Sequence, residues 1–175
     1  MTNINISGQY KVNGTPLVLS SNPKVIALSA TDGTVITGTT VLAISRSLLI
    51  PANTITGQSV LEFMARYQKT GTTGGNSCTV YVNTSPTLTG ASLVATFASS
   101  IGPTLVQGIR SVRINTSNLL TLQPATGSFS DYTTFSSESI VSFNASVDNY
   151  ILFCVQNGFI GDSNVVQMAR VVKYA

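Results

Sequence analysis

Apolar and polar side chains alternate along much of this chain. In residues 60–67, Leu61, Phe63, Ala65 and Tyr67 share one face while Glu62 and Arg66 take the other, the period of two that marks a strand half-buried against a core. A glycine-rich connector follows at residues 70–76, and the alternation resumes with Cys78, Val80 and Val82 against Thr79, Tyr81 and Asn83. Two such runs joined by a loop that tolerates positive φ predict a hairpin. Further strands are expected at 34–36, 40–50, 92–98, 109–115, 119–122, 139–144, 150–156 and 165–174, with breaks at Pro51, Pro86, Pro103, Pro124 and Gly158. No stretch carries a helical period, and Gly or Pro interrupts most windows long enough for a helix. The pattern predicts an all-β chain built as an antiparallel β-sandwich, jelly-roll-like, with an irregular barrel as the competing architecture.

The first thirty residues read differently. Ile4 and Ile6 alternate with Asn3, Asn5 and Ser7, and Tyr10-Lys11-Val12 leads into Asn13-Gly14, the strongest short hairpin signal. Pro16 and Leu17 lie in the return strand, and residues 20–24 read as a linker. A lone hairpin is marginal in water. An arm over residues 1–30 is therefore expected to bury Ile4, Ile6, Tyr10, Val12 and Leu17 against a docking partner or a neighbouring subunit, unless it is simply the first hairpin of the head. Residues 31–175 form the expected β-sandwich head.

Composition narrows the chemistry. The chain has 175 residues, a length that suits one domain, and only 9% of them are charged, against about 25% in a typical soluble domain. Ser, Thr and Asn supply much of the polarity, and the net charge is +3. The absence of His removes Ser-His-Asp and Cys-His nucleophiles and the HExxH zinc site. Nine cations are scattered along the chain, so no nucleic-acid partner is expected. No DxDxDG calcium loop occurs, and the glycines at 71, 74 and 75 lack the Lys-Ser/Thr of a phosphate-binding loop. No metal or cofactor is expected. Membrane insertion is not expected either, since no apolar run approaches 18 residues, and no secretory signal is read at the start. Cys78 and Cys154 sit in apolar strand-like runs, which suits two buried free thiols, with a disulfide as the alternative. Among the six acids, Asp131 with Glu138 is the nearest approach to a glycosidase pair, which needs carboxyls roughly 5 to 9.5 Å apart. The chain is expected not to be an enzyme.

One segment has the makings of a contact surface. Residues 126–136 mix aromatics with small polar groups and an acid. Phe129, Asp131, Tyr132 and Phe135 are the candidate receptor- or glycan-binding residues, with Phe129 and Phe135 alternatively core anchors beneath a long loop.

The stretch Leu48-Leu-Ile-Pro-Ala-Asn-Thr-Ile55, the run Val60-Leu-Glu-Phe-Met-Ala-Arg-Tyr-Gln-Lys-Thr-Gly71, then Val80-Tyr-Val-Asn-Thr-Ser85 and Leu88-Thr-Gly-Ala91 together resemble the β-rich C-terminal head domains of bacteriophage fibre and structural proteins, especially those of phages of Bacteroidetes-type hosts. Tyr10-Lys-Val-Asn-Gly-Thr-Pro-Leu17 is similar to the short shaft or collar segments that precede such heads. The resemblance implies a virion component made in the host cytoplasm, commonly a homotrimer, docked on other virion proteins by its N-terminal arm and displaying a jelly-roll-like head toward a host glycan or protein. It brings no catalytic residues. The absence of a long repetitive shaft points to a head fibre, a tail-tip head or a capsid decoration subunit. A stand-alone carbohydrate-binding module and a polysaccharide depolymerase are the alternatives.

Overall fold

The alternating runs are buried as their pattern demands. Leu61, Phe63, Ala65 and Tyr67 of β6 (Ser59–Thr70) and Cys78, Val80 and Val82 of β7 (Asn76–Asn83) all lie in one core. The structure, a computed structural model, describes residues 11–12, 15–16, 23–55, 58–71, 74–100, 103–114, 119–122 and 139–174. Every strand pairing within them is antiparallel.

Two sheets enclose that core. The larger runs in the order β11 (Ser139–Ser142), β10 (Leu119–Leu122), β9 (Thr104–Ile114), β6, β13 (Ser163–Tyr174) and β3 (Lys24–Ser29), with the short β4 (Ile36–Thr37) also paired to β13. The smaller runs β5 (Ala43–Ile50), β12 (Asn149–Asn157), β7 and β8 (Ser92–Ser100). Setting aside β4 and the β10–β11 hairpin, the first long strand pairs with the last, β5 with β12, β6 with β9, and β7 with β8. That nesting is the double Greek key of a jelly roll. Ile151, Phe153 and Val155 of β12 belong to the same core as Phe63, Ala65 and Tyr67 of β6.

Two expectations are corrected. Residues 60–67 and 78–83 do not form a hairpin, because β9 and β13 occupy both edges of β6, and β12 and β8 occupy both edges of β7. The glycine-rich connector therefore carries the chain from one sheet across to the other. The linker reading at Lys24 also gives way: Lys24–Ser29 is a strand, paired with Ala169–Lys173 at the edge of the larger sheet. The hairpin expected around Asn13-Gly14 is present in β1 (Lys11–Val12) and β2 (Thr15–Pro16), with Val12 opposite Thr15.

The cysteines are both free and both buried. Cys78 opposes Val155 on the inner face of the smaller sheet, whereas Cys154 opposes Thr79 on its outer face. Side chains on opposite faces of one sheet do not form a disulfide without backbone movement. Burial pushes the Cys154 thiol up to about 12. Burial, with Cys154 nearby, pushes Cys78 up as well.

Candidate functional site

The aromatic segment containing Phe129, Asp131, Tyr132 and Phe135 lies outside the described residues, as does Glu138. Its attachment is placed: the segment joins β10 to β11, whose ends Leu122 and Ser139 are directly paired. Of the arm residues, Ile4, Ile6, Tyr10 and Leu17 also lie outside the described residues, and Val12 is placed only by its pairing in β1. The described surface offers two broad faces and one buried polar cluster.

The outer face of the larger sheet is apolar and basic. In one cross-strand row Leu28, Arg170, Met64 and Ile109 stand side by side. Leu28 is 57% exposed and Ile109 46%, and Val25, Val60, Leu105 and Ile140 are exposed on the same face. Glu62 is held there by Arg170 Nη2 at 3.2 Å and by the Tyr174 hydroxyl, which donates to its other oxygen at 3.1 Å. That hydrogen bond, before any other influence, pushes the Tyr174 hydroxyl up. Arg66 and Arg113 add positive charge, so the face carries more arginines than acids.

The outer face of the smaller sheet differs in kind. Its rows read Ser47, Leu152, Tyr81, Leu93 and then Ile44, Cys154, Thr79, Thr96, with Tyr150 beside Asn83 in the next row. No Asp, Glu, Lys or Arg projects from it, because the one arginine of these strands, Arg46, stands in register with the inward Phe153. Leu152 and Cys154 have no exposed surface, while Tyr81 and Tyr150 are half-buried. Ser47 Oγ is buried without a hydrogen-bond partner. Thr79 Oγ1 is likewise without a partner in hydrogen-bond geometry, although the Tyr81 hydroxyl is close enough to feel it.

One end of the sandwich is closed by polar groups inside the core. Lys69 continues the inward phase of β6, and its ammonium meets Asp162 Oδ2 at 2.7 Å with 0% and 2% of the two side chains exposed. The Lys69 ammonium also donates to the Gly71 carbonyl at 2.9 Å. Asn76 Nδ2 donates to Asn164 at 3.0 Å, Asn164 Nδ2 to Asn157 at 2.7 Å, and Asn157 Nδ2 to the Ile36 carbonyl at 3.1 Å. This chain of bonds ties β7, β13, β12 and β4 together. Neither Asp162 nor Lys69 stands out in the sequence as a candidate site residue. The signal that finds Lys69 is its phase, two residues beyond Tyr67 on the buried face.

The remaining described acids are engaged separately. Asp148 accepts the Ala52 amide at 2.8 Å, and Asp32 is exposed in a loop whose carbonyl, with that of Thr31, is held by Arg46. Among the described residues no three metal-ligating side chains gather, and no helix is long and apolar enough to cross a membrane. Comparison with protein-family models, with curated proteins and with solved structures finds no match.

Proposed function

We propose that this chain is a non-enzymatic structural subunit of a bacteriophage particle, a short fibre or capsid decoration protein that works as a homotrimer. In this reading the N-terminal arm docks on other virion proteins and the jelly-roll head is displayed outward, available to a host surface. The observation that carries the proposal is the outer face of the larger sheet. Six large aliphatic side chains, Val25, Leu28, Val60, Leu105, Ile109 and Ile140, are exposed on it. Interleaved with Arg66, Arg113 and Arg170, they make a face on which exposed apolar side chains are unusually frequent, as at interaction sites. Strands spaced about 4.8 Å apart and rising about 3.3 Å per residue give such a face an area of the order of the 800 Å² per partner of a standard interface. Light scattering tests the proposal: a mass near three times 18.3 kDa is expected, and a monomer at every concentration, with no binding to particles, overturns it.

A further inference from the structure

Lys69 and Asp162 bring an amine and a carboxyl group together inside the core. Their contact is 2.7 Å, between Nζ and Oδ2, with 0% and 2% of the two side chains exposed. Yet Oδ2 has no partner in hydrogen-bond geometry. The ammonium therefore approaches the carboxylate off the directions that an aligned, charge-assisted bond uses. With a carbon–oxygen bond of about 1.2 Å, a nitrogen so placed lies within about 4 Å of the carboxyl carbon. Reacting atoms in a near-attack arrangement are about 3–3.5 Å apart. Both stems are fixed by the backbone. Lys69 is the register partner of Asn164 in the β6–β13 ladder, and Asp162 lies two residues earlier, in a turn where its amide donates to the Phe159 carbonyl at 3.1 Å. Two buried ions are costly to keep out of water, whereas a neutral amide in their place leaves no charge to desolvate.

We propose that Lys69 and Asp162 condense to an isopeptide bond once the chain has folded. One ammonium proton passes to the carboxylate, giving a neutral amine beside a carboxylic acid. The amine nitrogen attacks the carboxyl carbon, a new carbon–nitrogen bond forms and one carbon–oxygen bond breaks. The departing oxygen leaves as water with two of the three ammonium protons. The third stays on the amide nitrogen, and the Gly71 carbonyl, which accepts from Nζ at 2.9 Å, is in place to accept from it. The balance consumes no oxidant, reductant or further reactant. Folding supplies the rate by holding the two groups together, as intramolecular reactions gain from fixed proximity. The ion pair is the precursor, and the finished bond ties the end of β6 to the entry of β13. This inference concerns the head alone and does not depend on the virion reading.

The test is mass spectrometry on the full chain. In denaturant, the folded and incubated protein should weigh one water less than its sequence. Trypsin should fail to cut after Lys69, leaving residues 67–110 joined to residues 114–170 as one branched peptide. Lys69→Arg keeps the positive charge and removes the amine, and it should restore the full mass. The full mass in the native chain, with normal cleavage after Lys69, overturns the proposal. Loss of ammonia in place of water also overturns it, by assigning the bond to one of the buried asparagines. A loss of water that persists in Lys69→Arg does the same, since it marks a cyclic imide at an aspartate. Where Lys69→Arg fails to fold, the presence or absence of the branched peptide in the native chain decides the matter alone.

Discussion

Gly71 lies so close to the carboxylate of Asp162 that a β-carbon at this position would collide with it. Gly71 also has φ of 96°, where L side chains are strained. The residue thus does two things: it turns the chain from β6 toward the smaller sheet, and it lets Asp162 reach Lys69. Gly71→Ala should lower stability by about 2–4 kcal/mol, from backbone strain plus displacement of the ion pair. The urea midpoint should fall with the slope unchanged.

The ion pair itself predicts a pattern across variants. Lys69→Met leaves Asp162 charged and buried without its partner, which should cost about 3–5 kcal/mol. Asp162→Leu should be similar. The double variant, with both charges gone, should be more stable than either single one, and thermal unfolding of the set measures it. If the double variant lost the sum of the two single losses, the residues would not act as a pair.

Alkaline pH should expose the two thiols. The ordinary thiol value is 9.0, and burial raises Cys154 to about 12 and Cys78 also upward. Below pH 9 both are protonated in the folded and the unfolded chain, and their stabilising contribution is fully present. Above it the unfolded chain gives up its thiol protons while the folded chain keeps them. Stability therefore falls as pH rises from 9, with the Cys154 part continuing to about 12, by up to about 1.4 kcal/mol per pH unit for each thiol. Tyr67 and Tyr81, raised mainly by burial, add to the fall above pH 10. Urea midpoints across this range should show the decline, and Cys154→Ala should reduce it.

The same burial makes a chemical prediction. Iodoacetamide at neutral pH should label neither cysteine in the folded protein and both in denaturant, and reduction should not change the labelling.

Assembly should be separable from folding. Leu28→Arg and Ile109→Arg sit on exposed positions, where surface substitutions usually change stability by no more than about 0.5 kcal/mol. Each should yield a monomer with a near-normal unfolding temperature, read by light scattering and calorimetry together. Trimers that survive both substitutions would place the contact elsewhere.

How much of this was legible before the structure depends on what alternation encodes. It identified the buried side of β6 and β7 residue by residue, because a pleated strand with one face in a core has no other pattern open to it. It could not identify their neighbours. A short connector suggests pairing, and only the occupied edges of both strands rule it out. Lys24–Ser29 was missed for the opposite reason: Val25 and Leu28 on the outside and Ile26 and Ala27 within, shifted by an irregularity in pairing with β13, break the alternation. The unbroken apolar run Ile151–Val155 is buried on both faces of β12, which alternation alone does not mark. Lys69 was hidden by its charge, since a lysine in phase with buried aromatics makes sense only once Asp162 is beside it. The aromatic segment at 126–136 and most of the N-terminal arm lie outside the described residues.

The place of β13 in the larger sheet has a consequence in time. It pairs with β3, β4 and β6, so the place between β6 and the edge strand β3 stays empty until residues 163–174 have been synthesised. As the chain leaves the ribosome, β3 and β6 must each wait with an edge unsatisfied, and open to other nascent copies, until β13 has been made. Such long-range closure makes folding slow. A sheet of this topology is completed only when β13 arrives, so a chain still lacking residues 163–174 has no finished larger sheet to present to a partner.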